Sequence, residues 1–219
     1  MSKLGAAAAH PVFMSALAQG LTDSNWNVRE SMAQTVGNLD AAAATPEFLA
    51  ALARGLTDPH GEVRESMAKA VGSLGAAAAT EEILVALAQG LADPDKDVRY
   101  CMAKAVGKLG AAAATEVILV ALARGLADPD RLVRCGMAYA VGNLGEAAAT
   151  PEKLDALARG LSDPVEYVQH SMALAIGKIA PLSYADLLHQ RWKETGGTHF
   201  QQALRTLQSR HQHYCDRNA

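Results

Sequence analysis

One phrase recurs along this chain at a fixed step of 35 residues, beginning at Asp23, Asp58, Asp93, Asp128 and Asp163. Its second copy runs from Asp58 to Ala92 and reads DPHGEVRESMAKAVGSLGAAAATEEILVALAQGLA. A period of this length marks a repeat architecture, in which each copy is one supersecondary unit that cannot bury its apolar face alone. Stacked neighbours bury it, so the chain must fold as a quasi-one-dimensional array.

Each unit divides into two helices, A and B. Thr45-Pro46-Glu47 is a helix start: Thr as N-cap, Pro at the first helical position, Glu in the first turn against the dipole. Phe48, Leu49, Leu52 and Leu56 then recur on one helical face. Thr57-Asp58-Pro59 turns the chain, and Asp58 or a neighbour caps the second helix. Val63, Met67, Val71 and Leu74 form the apolar stripe of that helix, and Gly75 suits a left-handed position just past its end. The alanines 76–79 form either a tight loop or a short helical turn. The pattern predicts A helices near 11–21, 46–56, 81–91, 116–126 and 151–161. It predicts B helices near 24–38, 59–73, 94–108, 129–143 and 164–179. No strand pattern is evident.

The wording D-P-x-x-x-V-R-x-x-M-A-x-A-V-G-x-L-G, as from Asp93-Pro94 through Val98-Arg99 to Leu109-Gly110, resembles HEAT-like repeats. The resemblance covers roughly residues 4–180 and departs in small ways, such as Ser24 for Pro in the first unit. It implies an all-α fold, a right-handed α-solenoid of five HEAT-like helix pairs with a C-terminal helical cap. It also implies a scaffold that holds another macromolecule in a concave surface lined by the B helices. Residues 1–10 read as a partial repeat remnant, 11–180 as the solenoid, and 181–219 as a two-helix cap and tail. Leu4-Gly5 and the alanines after it match Leu74-Gly75, as if a helix before them had been removed. In the cap, Ser183 starts one helix, Thr195-Gly196-Gly197 ends it, and Thr198 starts another with Phe200, Leu204 and Leu207 on one face. The alternative for this pair is a docking element for a partner.

Positions constant between units carry the stacking. Met32, Met67, Met102, Met137 and Met172 are a core stripe. Gly37, Gly72, Gly107, Gly142 and Gly177 sit inside helix B, where Gly costs about 1 kcal/mol relative to Ala. Close approach of a neighbouring helix is the expected compensation, and Gly20, Gly55, Gly90, Gly125 and Gly160 are expected to do the same in helix A. The repeated Asp keeps phase with Arg29, Arg64, Arg99 and Arg134, whose forked donors suit a carboxylate and turn carbonyls. These pairs predict a ladder along the stack, ending at Gln169 in the fifth unit.

Varying positions point to function. Along helix B they fall at three- to four-residue spacing, which is one face. The sets are Trp26, Glu30, Gln34 and Asn38; Glu62, Glu65, Lys69 and Ser73; Lys96, Tyr100, Lys104 and Lys108; Leu132, Cys135, Tyr139 and Asn143; Tyr167, His170, Leu174 and Lys178. Of ten aromatic residues in the chain, Trp26, Tyr100, Tyr139 and Tyr167 lie here, and Trp and Tyr anchor interfaces. The mixed charges suit a protein or peptide. The candidate contact residues are Trp26, Glu30, Gln34, Glu65, Lys69, Tyr100, Lys104, Lys108, Tyr139, Asn143, Tyr167, His170 and Leu174. Three readings compete: drift on a solvated surface, nucleic-acid binding by the Lys96, Lys104, Lys108, Arg131 and Lys178 side, and a structural spacer or self-assembling array.

Composition narrows the classes. A net charge of -3 and a pI near 6.2 argue against a protein built around nucleic acid. Three cysteines (Cys101, Cys135, Cys215) without C-x-x-C spacing read as free thiols of a reducing compartment. With no apolar run of membrane length and no signal-peptide pattern, a cytoplasmic protein with no membrane contact is expected. No phosphate loop, nucleophile elbow or zinc pair appears, so no enzyme and no cofactor are expected. The His-Glu pairs of HEAT-like iron hydroxylases are missing, and Trp26 with Arg131 imitates HEAT-like glycosylases only thinly. A metal at His211, His213 and Cys215 fits no standard spacing. The flank of the first A helix, Val12, Phe13 and Leu17, is expected to pack on a missing repeat or on a second copy.

Overall fold

The computed structural model describes residues 11–39 and 44–218. The remnant expected over residues 1–10 lies outside them, as do the side chains of Val12, Phe13, His213 and Cys215. The described residues form twelve α-helices and no strand. The A helices are α1 (Pro11–Gly20), α3 (Pro46–Gly55), α5 (Glu81–Gly90), α7 (Glu116–Gly125) and α9 (Pro151–Gly160). The B helices are α2 (Trp26–Val36), α4 (Gly61–Leu74), α6 (Lys96–Leu109), α8 (Arg131–Asn143) and α10 (Glu166–Ile179). Two more complete the chain, α11 (Ala185–Thr195) and α12 (Thr198–Asn218). Each helix packs on the helix two places on, A on A and B on B, which makes the array an α-solenoid.

Local chemistry starts and stops these helices as the residues dictate. Thr45, Thr80 and Thr115 accept the amides of Phe48, Ile83 and Ile118 at 3.4–3.5 Å, long bonds for an N-cap. In the fifth unit a lysine stands at the Phe48 position. Lys153 is buried, and its ammonium takes the Thr150 hydroxyl at 3.1 Å in place of that cap. The alanine tracts resolve as single 3-10 turns, Gly75–Ala78, Gly110–Ala113 and Gly145–Ala148. Gly75 holds φ 61° and ψ -146°. That is the extended positive-φ region open to Gly alone, not the left-handed helix expected for a cap.

The constant glycines divide into two roles. In the B row a Cβ on Gly72, Gly107 or Gly142 would come within 3.0–3.2 Å of the Cα of Ala105, Ala140 or Ala175. These glycines let neighbouring B helices touch backbone to backbone. In the A row, Gly55, Gly90, Gly125 and Gly160 instead make room for Met67, Met102, Met137 and Met172 of their own unit. Those methionines are fully buried and tie each A helix to its B helix.

The ladder is present and reaches from unit to unit. Arg64 gives Nε and Nη2 to Asp93 of the next unit at 2.8 and 3.0 Å, and Nη1 to the carbonyl of its own Asp58 at 2.8 Å. Arg29, Arg99 and Arg134 repeat the geometry on Asp58, Asp128 and Asp163. Each of these aspartates also accepts the amide two residues on, closing its own turn. At Asp58 burial opposes ionisation, but the Arg29 hydrogen bond and the His60 amide outweigh it and hold the carboxyl below its usual range. Gln169 ends the ladder, keeping only the bond to the Asp163 carbonyl.

B helices lie closer to one another than A helices do. The stack therefore bends with its B row inside and its A row splayed outside. At the C-terminal end α12 takes the place of a further B helix: Thr206 packs on Gly177, and Phe200, Ala203 and Leu207 are buried beside it. Arg210 donates to the carbonyls of Lys178 and Ala180, covering the open end of α10. Helix α11 packs on α12 through the buried Leu188.

Candidate functional site

The variable B-helix positions form rows running across the units. The row nearest the helix starts is used for bridges between units. Trp26 stacks on His60 with ring centroids 5.3 Å apart and planes 9° apart. Lys96 reaches Asp130 at 3.8 Å, and the Arg131 guanidinium sits 5.8 Å above the Tyr167 ring.

Along the middle of the face runs the row Glu30, Glu65, Tyr100, Cys135 and His170, with Gln34, Lys69, Lys104, Tyr139 and Leu174 one turn on. Glu30 accepts from Gln34 at 2.9 Å and Glu65 from Lys69 at 3.1 Å. Burial disfavours the Lys69 ammonium, but the bond to Glu65 prevails and raises its pKa. Tyr100 and Tyr139 are half-buried, and adjacent helices pack on them: Gly136 faces the Tyr100 ring, and Gly107 lies under Tyr139. Lys104 stands 3.4 Å over the Tyr139 centroid. Burial, and then the Lys108 charge, push the Lys104 ammonium down. Neither Lys104 nor Lys108 meets a carboxylate among the described ion pairs. Asn143 donates to the Tyr139 carbonyl at 2.8 Å and accepts from Lys178 at 3.0 Å. His170 meets Gln202 of α12 at 3.1 Å, so the cap borders this face.

The expected residues thus gather on one surface, but unequally. Trp26, Tyr100 and Tyr139 serve the stacking as much as the surface. Lys108, Tyr167 and Leu174 are exposed, Glu30 is half-buried like those aromatic residues, and Leu132 beside them is 46% exposed. Carboxylates stand in the first units (Glu30 and Glu65) and lysines follow (Lys69, Lys104 and Lys108), while the last units add the exposed Leu132, Tyr167 and Leu174 beside Arg131 and Lys178.

The thiols here show no activation. Burial pushes Cys101 up to about 11, and Cys135 is also raised by burial. Among the described residues no group of three or more His, Cys, Asp or Glu stands in metal-holding array. No helix there is long and apolar enough to cross a membrane.

A second face was not foreseen. The outward stripe of the A helices reads Glu47, Ala50, Arg54 in α3; Glu82, Val85, Gln89 in α5; Val117, Val120, Arg124 in α7; and Glu152, Asp155, Arg159 in α9. Val85, Val117 and Val120 are 46%, 60% and 43% exposed. Splaying leaves clefts on both sides of α5, of about 1020 Å³ against α3 and about 780 Å³ against α7. The signal lay in the repeats: Ala50, Val85, Val120 and Asp155 are one position read four times.

The family model described as HEAT repeats matches residues 14–87 and 84–177. No curated protein matches the sequence. Among solved structures, an engineered protein is similar at 19% identity and a TM-score of 0.69, over 90% of this chain and 96% of that one. The archaeal HEAT-like repeats protein from Thermococcus onnurineus NA1 is similar at 13% identity and 0.64, over 93% and 90%. A designed armadillo repeat protein in complex with the peptide (KR)4 is similar at 19% identity and 0.60, over 75% and 81%. Identities this low show a shared fold.

Proposed function

Because the chain belongs to the HEAT repeat family, we propose that it is a non-catalytic scaffold that holds an extended segment of a partner protein along its B-helix face. The observation that carries this reading is the order along one surface of carboxylates, then lysines, then exposed apolar side chains. Packed helices lie about 8–10 Å apart, and an extended chain rises about 3.3 Å per residue. Each unit therefore faces about three residues of a bound strand. That order selects a segment with a basic residue near Glu30 and Glu65, an acidic residue near Lys104 and Lys108, and a large apolar residue near Leu174 and Tyr167. That an armadillo-type neighbour is complexed with the peptide (KR)4 supports a peptide segment as the ligand.

A displayed random-peptide library panned on the intact chain tests the proposal. The counter-target is the variant E30K/K108E/L174D, whose changes fall on this face at the half-buried Glu30 and the exposed Lys108 and Leu174. Enriched peptides should carry the three residue types in the stated order and lose at least about tenfold in affinity for the variant. Equal enrichment on both proteins, or none on either, would overturn the reading. Steeply salt-dependent binding of duplex DNA by the wild type alone would favour a polyanion partner instead.

A further inference from the structure

The outer face carries side chains that neither stacking nor helix formation requires. Val85 and Val120 stand where α3 has Ala50, a better helix former, and where α9 has Asp155. Val117 stands where α5 has Glu82. All three valines are exposed at the edges of the two clefts around α5.

Around them the charges are polarised. Glu81, Glu82 and Glu116 are exposed at the helix starts, while Arg54 and Arg124 are exposed at the helix ends. None of the five enters a described ion pair. Polarity of this sense also suits each helix's own dipole, so the charges alone imply no partner. Charges framing an apolar centre do.

We propose that this face is the interface of a two-fold dimer, with two copies of the chain set back to back and their A helices antiparallel. A two-fold interface must be self-complementary. Antiparallel apposition lays the glutamate end of each face on the arginine end of the other, twice by symmetry, with valines meeting valines between. Parallel apposition would oppose like charges. Three ten-residue helices, each about 15 Å long and about 10 Å from the next, present a face near the low end for a stable interface. The dimer is therefore weak, with a dissociation constant on the order of 10 µM or above. It leaves both B-helix faces outward, so two grooves act on a bivalent partner with raised avidity.

Sedimentation velocity on the whole chain, up to about 200 µM, tests this against the expected affinity. Wild type should shift from monomer to dimer with concentration. V117E/V120D installs the residue types that α5 carries at the first position and α9 at the second, so it should keep its helical circular dichroism and weaken the dimer at least tenfold. Two further variants, E82R/E116R and R54E/R124E, should each fail to dimerise alone and form a heterodimer when mixed. Wild type that stays monomeric throughout would overturn the proposal and leave the face to another protein. A V117E/V120D protein that dimerises like wild type, or a charge-reversed pair that does not associate on mixing, would overturn it as well.

Discussion

The inner and outer rows of this stack are built from the same repeat and use their side chains in opposite ways. In the B row, backbones touch over Gly72, Gly107 and Gly142, so even its varied residues are drawn into contacts with the next unit. Tyr139 covers Gly107, and Lys178 reaches Asn143. In the A row the helices touch one another less closely, and methionines seat each one on its own partner helix. Residues on its outward stripe touch little and are free to vary without structural cost. Variation on the inside is thus filtered by packing, whereas an exposed valine on the outside has no packing reason to be there.

The sharpest way to break this contrast is at the ladder, which ties each unit to the next through a paired carboxylate. Arg99→Ala leaves the Asp128 carboxylate, whose side chain is only 9% exposed, without its partner. Loss of one member of such a pair should cost about 3 kcal/mol or more, read as a lowered urea midpoint. Because it lies mid-array, it should also split the unfolding into two transitions, while Arg29→Ala loosens only the first unit. The same ladder sets an acid limit. The Asp58 carboxyl titrates below its unfolded value, so its contribution is complete above about pH 4 and is lost as pH falls through the lower folded pKa. Urea midpoints taken from pH 5 down to pH 3 should drop less steeply for Arg29→Ala than for wild type.

A smaller effect is expected on the inner row. Tyr139→Ala uncovers Gly107 and removes the ring beneath Lys104, and should cost about 1–3 kcal/mol. Smallest of all, V117E/V120D on the outer row should change stability by less than about 0.5 kcal/mol. If thermal melts give the outer pair the larger loss, the contrast between the rows fails.

Much of this was legible in the residues because a repeat compares itself. Constant Met, Gly, Asp and Arg positions announced the stacking, and the helix bounds fall within a few residues of those expected. The ladder was legible in its parts, but its register was not: Asp and Arg recur in phase, and phase alone does not say whether Arg64 holds Asp58 or Asp93. The A-helix glycines looked like close-approach sites and proved to be Met seats, since a sequence records a missing Cβ and not what occupies its space. Tyr100 and Tyr139 looked like free anchors. Only the closeness of the B helices shows that they are half-buried between units.

By itself, then, the sequence determined the helix pairs, their stacking and the face on which each residue stands, because local propensity and a 35-residue period act over short range and repeat. Tertiary structure decided which row is tight and which is splayed. The cause is how closely backbones approach when Gly meets Ala across units, a property of two helices and not of one. The same difference turned the aromatic residues partly inward and left Val85, Val117 and Val120 facing out.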